Sequence, residues 1–116
     1  MKVVNASDII PVTMNNDQVK NVAGRVLIGQ DDGASNFCMR LFEIGPGGNT
    51  PRHTHDWEHE VFVHAGSGEV FIDGKWHPVT AGTAVFVPPN ADHQFRNPGA
   101  DTLTFICLVP NQAPEM

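Results

Sequence analysis

An all-β chain folded as a double-sheet jelly-roll barrel is the architecture this sequence predicts. Three observations carry the expectation. Eleven glycines and nine prolines are spread along 116 residues. No stretch holds helical periodicity for three turns. Short apolar runs recur between turn signals, giving eight or more short strands. A jelly roll accommodates that many strands with few exposed edges, and its interior can hold a small site. The length fits one domain, residues 1–116, with a core that needs no staples. Within it the pattern separates an N-terminal arm (1–20), the barrel (21–110) and a loose polar tail (111–116).

In the arm, Val3-Val4 and Ile9-Ile10-Pro11-Val12 read as short edge strands, where proline is tolerated. Met14-Asn15-Asn16-Asp17 reads as a turn. The arm is expected on the outside of the barrel or on a partner subunit. Val22 to Ile28 forms a strand ended by Gln30-Asp31-Asp32-Gly33. Phe37 to Ile44 forms the next, with Phe37, Met39, Leu41 and Glu43 on one face and Cys38, Arg40, Phe42 and Ile44 on the other. Both faces are largely apolar, which predicts a strand covered on both sides. Arg40 is the odd residue. It is either paired or snorkelling, or, if its face is the cavity, it anchors an anionic ligand or orients metal-bound groups.

Gly45-Pro46-Gly47-Gly48 reads as a tight turn leading into Pro51-Arg52-His53-Thr54-His55-Asp56-Trp57-Glu58-His59-Glu60. Residues two apart in an extended strand share a face, so His53 and His55 can aim at one point. Asp56 to Glu58 suffice for a bend that returns His59 to that point, and His93 can be brought in by a later strand. Imidazole is the commonest ligand of borderline ions, so four converging histidines read as a metal site. Glu60 is the alternative third ligand. Strand parity favours His59: with His59 inward, Val61 and Val63 follow it, whereas an inward Glu60 would carry His64 into the core. His64 and His77 are expected at the surface.

Ala65-Gly66-Ser67-Gly68 reads as a hairpin turn, with Glu69 to Ile72 returning. Asp73-Gly74 is a two-residue hairpin signal before Lys75 to Val79. Ala81-Gly82 turns again, Ala84 to Val87 reads as a buried strand, and Pro88 to Asp92 closes it. His93 opens the next strand with Phe95 on its face. After Asn97-Pro98-Gly99, Thr102 to Val109 is the last strand, with Phe105, Cys107 and Val109 on one side.

Composition narrows the function. A net charge of -6 with seven Lys and Arg argues against a nucleic-acid surface. No apolar run approaches bilayer length. Cys38 and Cys107 are far apart, with no C-x-x-C and no secretory leader, which predicts a reduced, cytoplasmic protein. The expected partner is a small molecule, with no nucleic acid and no membrane.

These residues resemble the cupins. The first cupin motif is matched by Gly47, His53, His55, His59 in the place of the acidic ligand, and Gly66. The second is matched by Gly82, Pro88, His93 and Asn97, with Asn90 replacing its internal glycine. Most cupins bind their metal with three histidines and one glutamate. The P-x-H-x-H-x-W-E-H-E-x-F-V string is similar instead to small single-domain cupins with four histidine ligands. The resemblance implies metal ligands His53, His55, His59 and His93 and one divalent transition metal, with Mn or Fe favoured and Zn, Ni or Cu also suited to imidazole. It further implies Arg40 and Cys107 near the ion and, as in many cupins, a homodimer.

Four neutral imidazoles typically leave two open positions on an octahedral ion. Phe95, Phe105 and Cys107 are expected to line the cavity, with Trp57 and Glu58 at its lip and Glu58 able to orient a ligating ring. The first functional expectation is a dioxygenase-type oxidoreductase acting on a small apolar or aromatic molecule. A non-redox isomerase or lyase would want inward Lys, Glu or Tyr, and the chain has no tyrosine. A non-catalytic metal- or ligand-binding module is the third.

Overall fold

Alternation of apolar and polar residues, set between glycine and proline breaks, produces nine strands. The computed structural model describes all 116 residues. The strands are β1 (Val12–Met14), β2 (Lys20–Ile28), β3 (Phe37–Asn49), β4 (His59–Ala65), β5 (Ser67–Ile72), β6 (Lys75–Thr80), β7 (Ala84–Val87), β8 (His93–Arg96) and β9 (Leu103–Pro110). They follow one curled path, β6-β5-β8-β3-β9-β4-β7, with β2 on β3 and β1 on β2. Every paired neighbour is antiparallel. The concave side holds Ile44, Val63, Val70, Val87, Leu103 and Val109, all close to fully buried. Period-two burial is clearest in β4 and β9, where every second residue is buried. A methylene removed from water is worth about 0.8 kcal/mol, so this shared face fixes the register of both strands.

β3 joins the two layers. It pairs with β9 as far as Ile44, with β2 to Ile44 and, after a register shift, again at Asn49, where it also meets β8. The expected tight turn at Gly45–Gly48 is therefore strand, bent without being broken. Gly47 has φ +75° and donates its N–H to the Asn97 carbonyl at 2.8 Å. At Gly48 a Cβ would stand 2.5 Å from the Lys20 carbonyl oxygen, so only glycine lets β2 and β3 approach there.

The expected hairpin at Ala65–Gly68 is also corrected. β4 pairs with β7 and β9, and β5 with β6 and β8, so the chain crosses between layers at Gly66, which has φ +80°. Asp73-Gly74 does form the tight hairpin, with both residues at positive φ and Ile72 opposite Lys75. β7 is half exposed rather than buried, because it is an edge strand that pairs only with β4; Phe86 is 56% exposed. The outer face of β3 is likewise only partly covered, with Phe37 in solvent. Val3-Val4 forms no strand; a 3-10 turn at Ala6–Asp8, capped by the Asn5 side chain, follows it.

The tail is not loose. Ala113 is buried in the core cluster, and the Glu115 carboxylate accepts the Gln30 backbone N–H at 2.8 Å. Satisfying the start of the 3-10 turn at Gln30–Asp32 ties the chain end down. No helix is long and apolar enough to cross a membrane.

Candidate metal centre

His59 is the first residue of β4, and strand parity sends it inward with Val61 and Val63, while Glu60, Phe62 and His64 face out. His93 opens β8, directed inward with Phe95. His53 and His55 lie before β4 and are not in a ladder strand, contrary to the sequence expectation. His53 makes an isolated bridge to His93, each N–H meeting the other's carbonyl at 3.1 Å. The His55 carbonyl accepts the Asn90 N–H at 2.7 Å. Asn90 has φ 67°, the left-handed turn that its place in the motif requires. Pro51, Pro88 and Pro89 stiffen the two loops that hold these residues.

The four imidazoles offer ligand atoms within 4.8 Å of one another. The Nε2 atoms of His55 and His59 are 2.8 Å apart. Ring tautomers follow from what the other nitrogens meet. His55 Nδ1 lies 2.8 Å from the Trp57 carbonyl oxygen, and His93 Nδ1 lies 3.0 Å from that of Ala91. A carbonyl only accepts, so both rings carry the proton on Nδ1 and turn a free Nε2 lone pair inward. Backbone carbonyls therefore do the orienting expected of Glu58, which makes no hydrogen bond to any of the rings. Trp57 stacks flat on His55, with centroids 4.2 Å apart and planes 4° from parallel.

His59 Nδ1 faces Cys107 Sγ at 3.2 Å and Arg40 Nη2 at 3.4 Å. Arginine has only donors, so when His59 offers Nε2 to an ion the sulfur is the acceptor available to its Nδ1–H. Burial, with the Arg40 charge and the neighbouring rings adding to it, lowers His59 to about 3. Burial first, and then His93 and His55, lowers His53 to about 4. Both rings are neutral at ordinary pH and ready to ligate. The donor set fits a borderline divalent ion without any rearrangement of charge.

Around the cluster is a cavity of about 470 Å³. Arg40, Phe95, Phe105 and Cys107 all line it, as do Phe42, Trp57, Thr50, Pro51 and Thr54. Phe95 and Phe105 stack with centroids 4.6 Å apart. Glu60 is exposed on the opposite face of β4, away from the rings. His64 and His77 are exposed. Several lining residues were missed from sequence. Phe42 was findable, since it shares the Arg40 face of β3. Met14, Val19 and Val22 come from β1, β2 and the segment between them, and Pro114 and Met116 from the tail. No local pattern marks those five.

Arg40 is 7% exposed, and its Nη2 also donates to Cys107 Sγ at 3.1 Å. The Cys107 thiol is raised by burial, against the pull of Arg40. Cys38 is also buried, and burial first, then Glu115, pushes its thiol up to about 11. Neither cysteine is in a disulfide.

Comparison with known proteins agrees with this geometry. A family model described as a cupin domain matches residues 40–109. Among solved structures, the polyketide cyclase RemF from Streptomyces resistomycificus is 34% identical with a TM-score of 0.91; the match covers 98% of this chain and 82% of that one. The polyketide synthase CurC of Streptomyces cyaneus is 27% identical over 115 residues, covering 98% of this chain and 72% of the relative. The 1-methylthio-D-xylulose 5-phosphate methylsulfurylase of Rhodospirillum rubrum is 34% identical over 71 residues, covering 61% of this chain and 46% of the relative. The chain thus spans about half the length of some curated relatives that it matches. With its matched domain, its curled barrel and its four convergent imidazoles, the chain belongs to the cupin family and is a metal-binding member of it.

Proposed function

We propose that this cupin is a metal-dependent enzyme acting on a small, largely apolar or aromatic molecule, and that its reaction is ring closure of a polyketide-type substrate. The observation that carries the reading is the placement of four neutral imidazoles in a cavity of about 470 Å³ walled by Phe42, Phe95, Phe105 and Trp57. Such a cavity is within the usual size range for a small-molecule site. The relative named a polyketide cyclase is matched over nearly the whole chain, which supports this substrate class.

His53, His55, His59 and His93 would hold the ion. A bound divalent ion supplies Lewis acidity toward carbonyl oxygens. The phenylalanines exclude water and orient a flat substrate, and Arg40 supplies positive charge beside the oxygens. The lining includes no Lys, Tyr, Asp or Glu, which disfavours an isomerase or lyase that depends on such an acid or base. Poly-β-carbonyl compounds have acidic C–H groups of their own, so their ring closure makes little demand for one. Dioxygenase-type oxidation is the second reading, and the same lack of acid–base residues favours it. Ring closure accepts Zn or Ni as readily as Mn or Fe, whereas oxidation favours Mn or Fe.

Protein loaded separately with each ion and mixed with aromatic poly-β-carbonyl compounds tests both. Ring closure gives a product lighter by one water, with no oxygen consumed. Oxidation gives an oxygen-enriched product and draws down dissolved oxygen. Absence of either product with every ion would overturn the enzymatic reading and leave a ligand-binding module.

A further inference from the structure

We infer that the cavity selects an organic anion, a carboxylate, phenolate or enolate on an apolar body, and that Arg40 is the residue that selects it. The inference rests on the reading above that this cavity receives the substrate, and it names the charge of that substrate.

Arg40 lies on β3 with only 7% of its surface exposed, and none of the four ion pairs of the molecule includes it. Its one hydrogen bond runs from Nη2 to Cys107 Sγ at 3.1 Å, with the donor-bearing His59 Nδ1 standing 3.4 Å from the same nitrogen. Its Nε is the one buried side-chain nitrogen or oxygen in the chain without a partner. Nη1 also makes no hydrogen bond and is not sealed off as Nε is, so it is the donor on the cavity wall left for a ligand acceptor.

The charge balance points the same way. The residues lining the cavity include no aspartate or glutamate. Its other polar side chains are histidines, threonines, a cysteine and the indole of Trp57, none of them an anion. The guanidinium charge is therefore uncompensated, and a divalent ion on the histidines adds to it. A buried charge left unpaired is strongly unfavourable, and an incoming anion relieves it. The planar fork of arginine suits two-oxygen groups. Phe42 lies under the guanidinium, with Cζ 4.9 Å from the ring centroid, and the stacked Phe95 and Phe105 continue the apolar wall. An anionic head joined to an aromatic or alkenyl body matches that lining.

The test is calorimetric titration with salicylate and with salicylamide, its neutral counterpart of similar shape. Both the zinc-loaded protein and the metal-free protein in chelator are titrated. The expected result is that wild type binds salicylate at least about tenfold tighter in both forms, the scale of one charge-assisted hydrogen bond. Arg40→Met should lose the preference in the metal-free form and weaken it about tenfold in the zinc form, while Arg40→Lys keeps part of it. Circular dichroism checks that each variant folds, and Arg40→Gln replaces Arg40→Met if that variant does not. Equal affinities in wild type, no salicylate binding in either form, or a preference that survives neutralisation of Arg40 in metal-free protein would overturn the inference. Failure to close polyketide rings would leave these ratios unchanged, so this inference and the proposed reaction fail separately.

Discussion

Asn97 is 1% exposed and uses its side chain completely. Nδ2 donates to the carbonyls of Ile44 at 2.8 Å and Asp101 at 2.7 Å, and Oδ1 accepts the Gly99 N–H at 3.0 Å. It fastens the turn after β8 to β3, next to the strand that carries His93. Asn97→Ala would leave those groups unsatisfied and is expected to cost roughly 2–4 kcal/mol in urea unfolding. Asn97→Asp, which lacks the donor, should also destabilise. At this scale the sequence was readable wherever one side chain determines its own direction. The alternation His59, Val61, Val63 against Glu60, Phe62, His64 is what the burial shows. The groups orienting His55 and His93 were not readable, because they are backbone carbonyls, which every residue has. The metal-free protein should also be acid-sensitive. His53 and His59 titrate near 4 and 3 when folded, against an ordinary value of 6.5. Above pH 6.5 they are neutral in both states and cost nothing. As pH falls below 6.5 the unfolded chain binds protons that the folded chain refuses, so stability falls between 6.5 and about 3. Urea midpoints measured across that range should drop, and a rise would contradict rings held neutral in the folded chain.

Elements fixed by local chemistry were legible, and those fixed by distant partners were not. Asp73-Gly74 defines its hairpin within the turn itself, since both residues must take positive φ. Ala65–Gly68 carries similar turn residues but makes no hairpin, because β4 is already held by β7 and β9 on its two edges. The turn chemistry was right, and the pairing was decided elsewhere. The same reasoning applies to Gly45–Gly48, where glycines bend a continuous strand. Asn90 offers an element-scale test. Its φ of 67° suits glycine best, and its N–H holds the His55 loop. Asn90→Gly should be close to neutral in thermal unfolding. Asn90→Ala should cost about 1 kcal/mol, a melting shift of roughly 4 °C or more at this size, and should weaken metal retention. Equal melting of the two variants would argue against a strained turn.

On the scale of the whole molecule, the barrel buries one face of its larger layer and leaves the other apolar. Phe62 and Phe86 are each at least half exposed, beside Met39, Ile106 and Leu108. Scattered exposed hydrophobics are ordinary, but a contiguous aromatic patch on a flat sheet favours association. We propose that two copies meet through this face. Sedimentation should give a dimer that Phe62→Glu with Phe86→Glu converts to monomer; a wild-type monomer at micromolar concentration would contradict it. The fold class was legible because it rests on period and punctuation spread over the whole chain. The tail's share of the cavity lining was not, since Pro114 and Met116 are brought there by the path of the whole chain and not by any local pattern.

Metal content tests the four-histidine centre most directly. Purified, untagged wild type, His59→Ala and Glu60→Ala are compared by elemental analysis after reconstitution. The expected result is near-stoichiometric metal in wild type and in Glu60→Ala, with loss in His59→Ala. Loss confined to Glu60→Ala, or no metal retained by wild type, would contradict it.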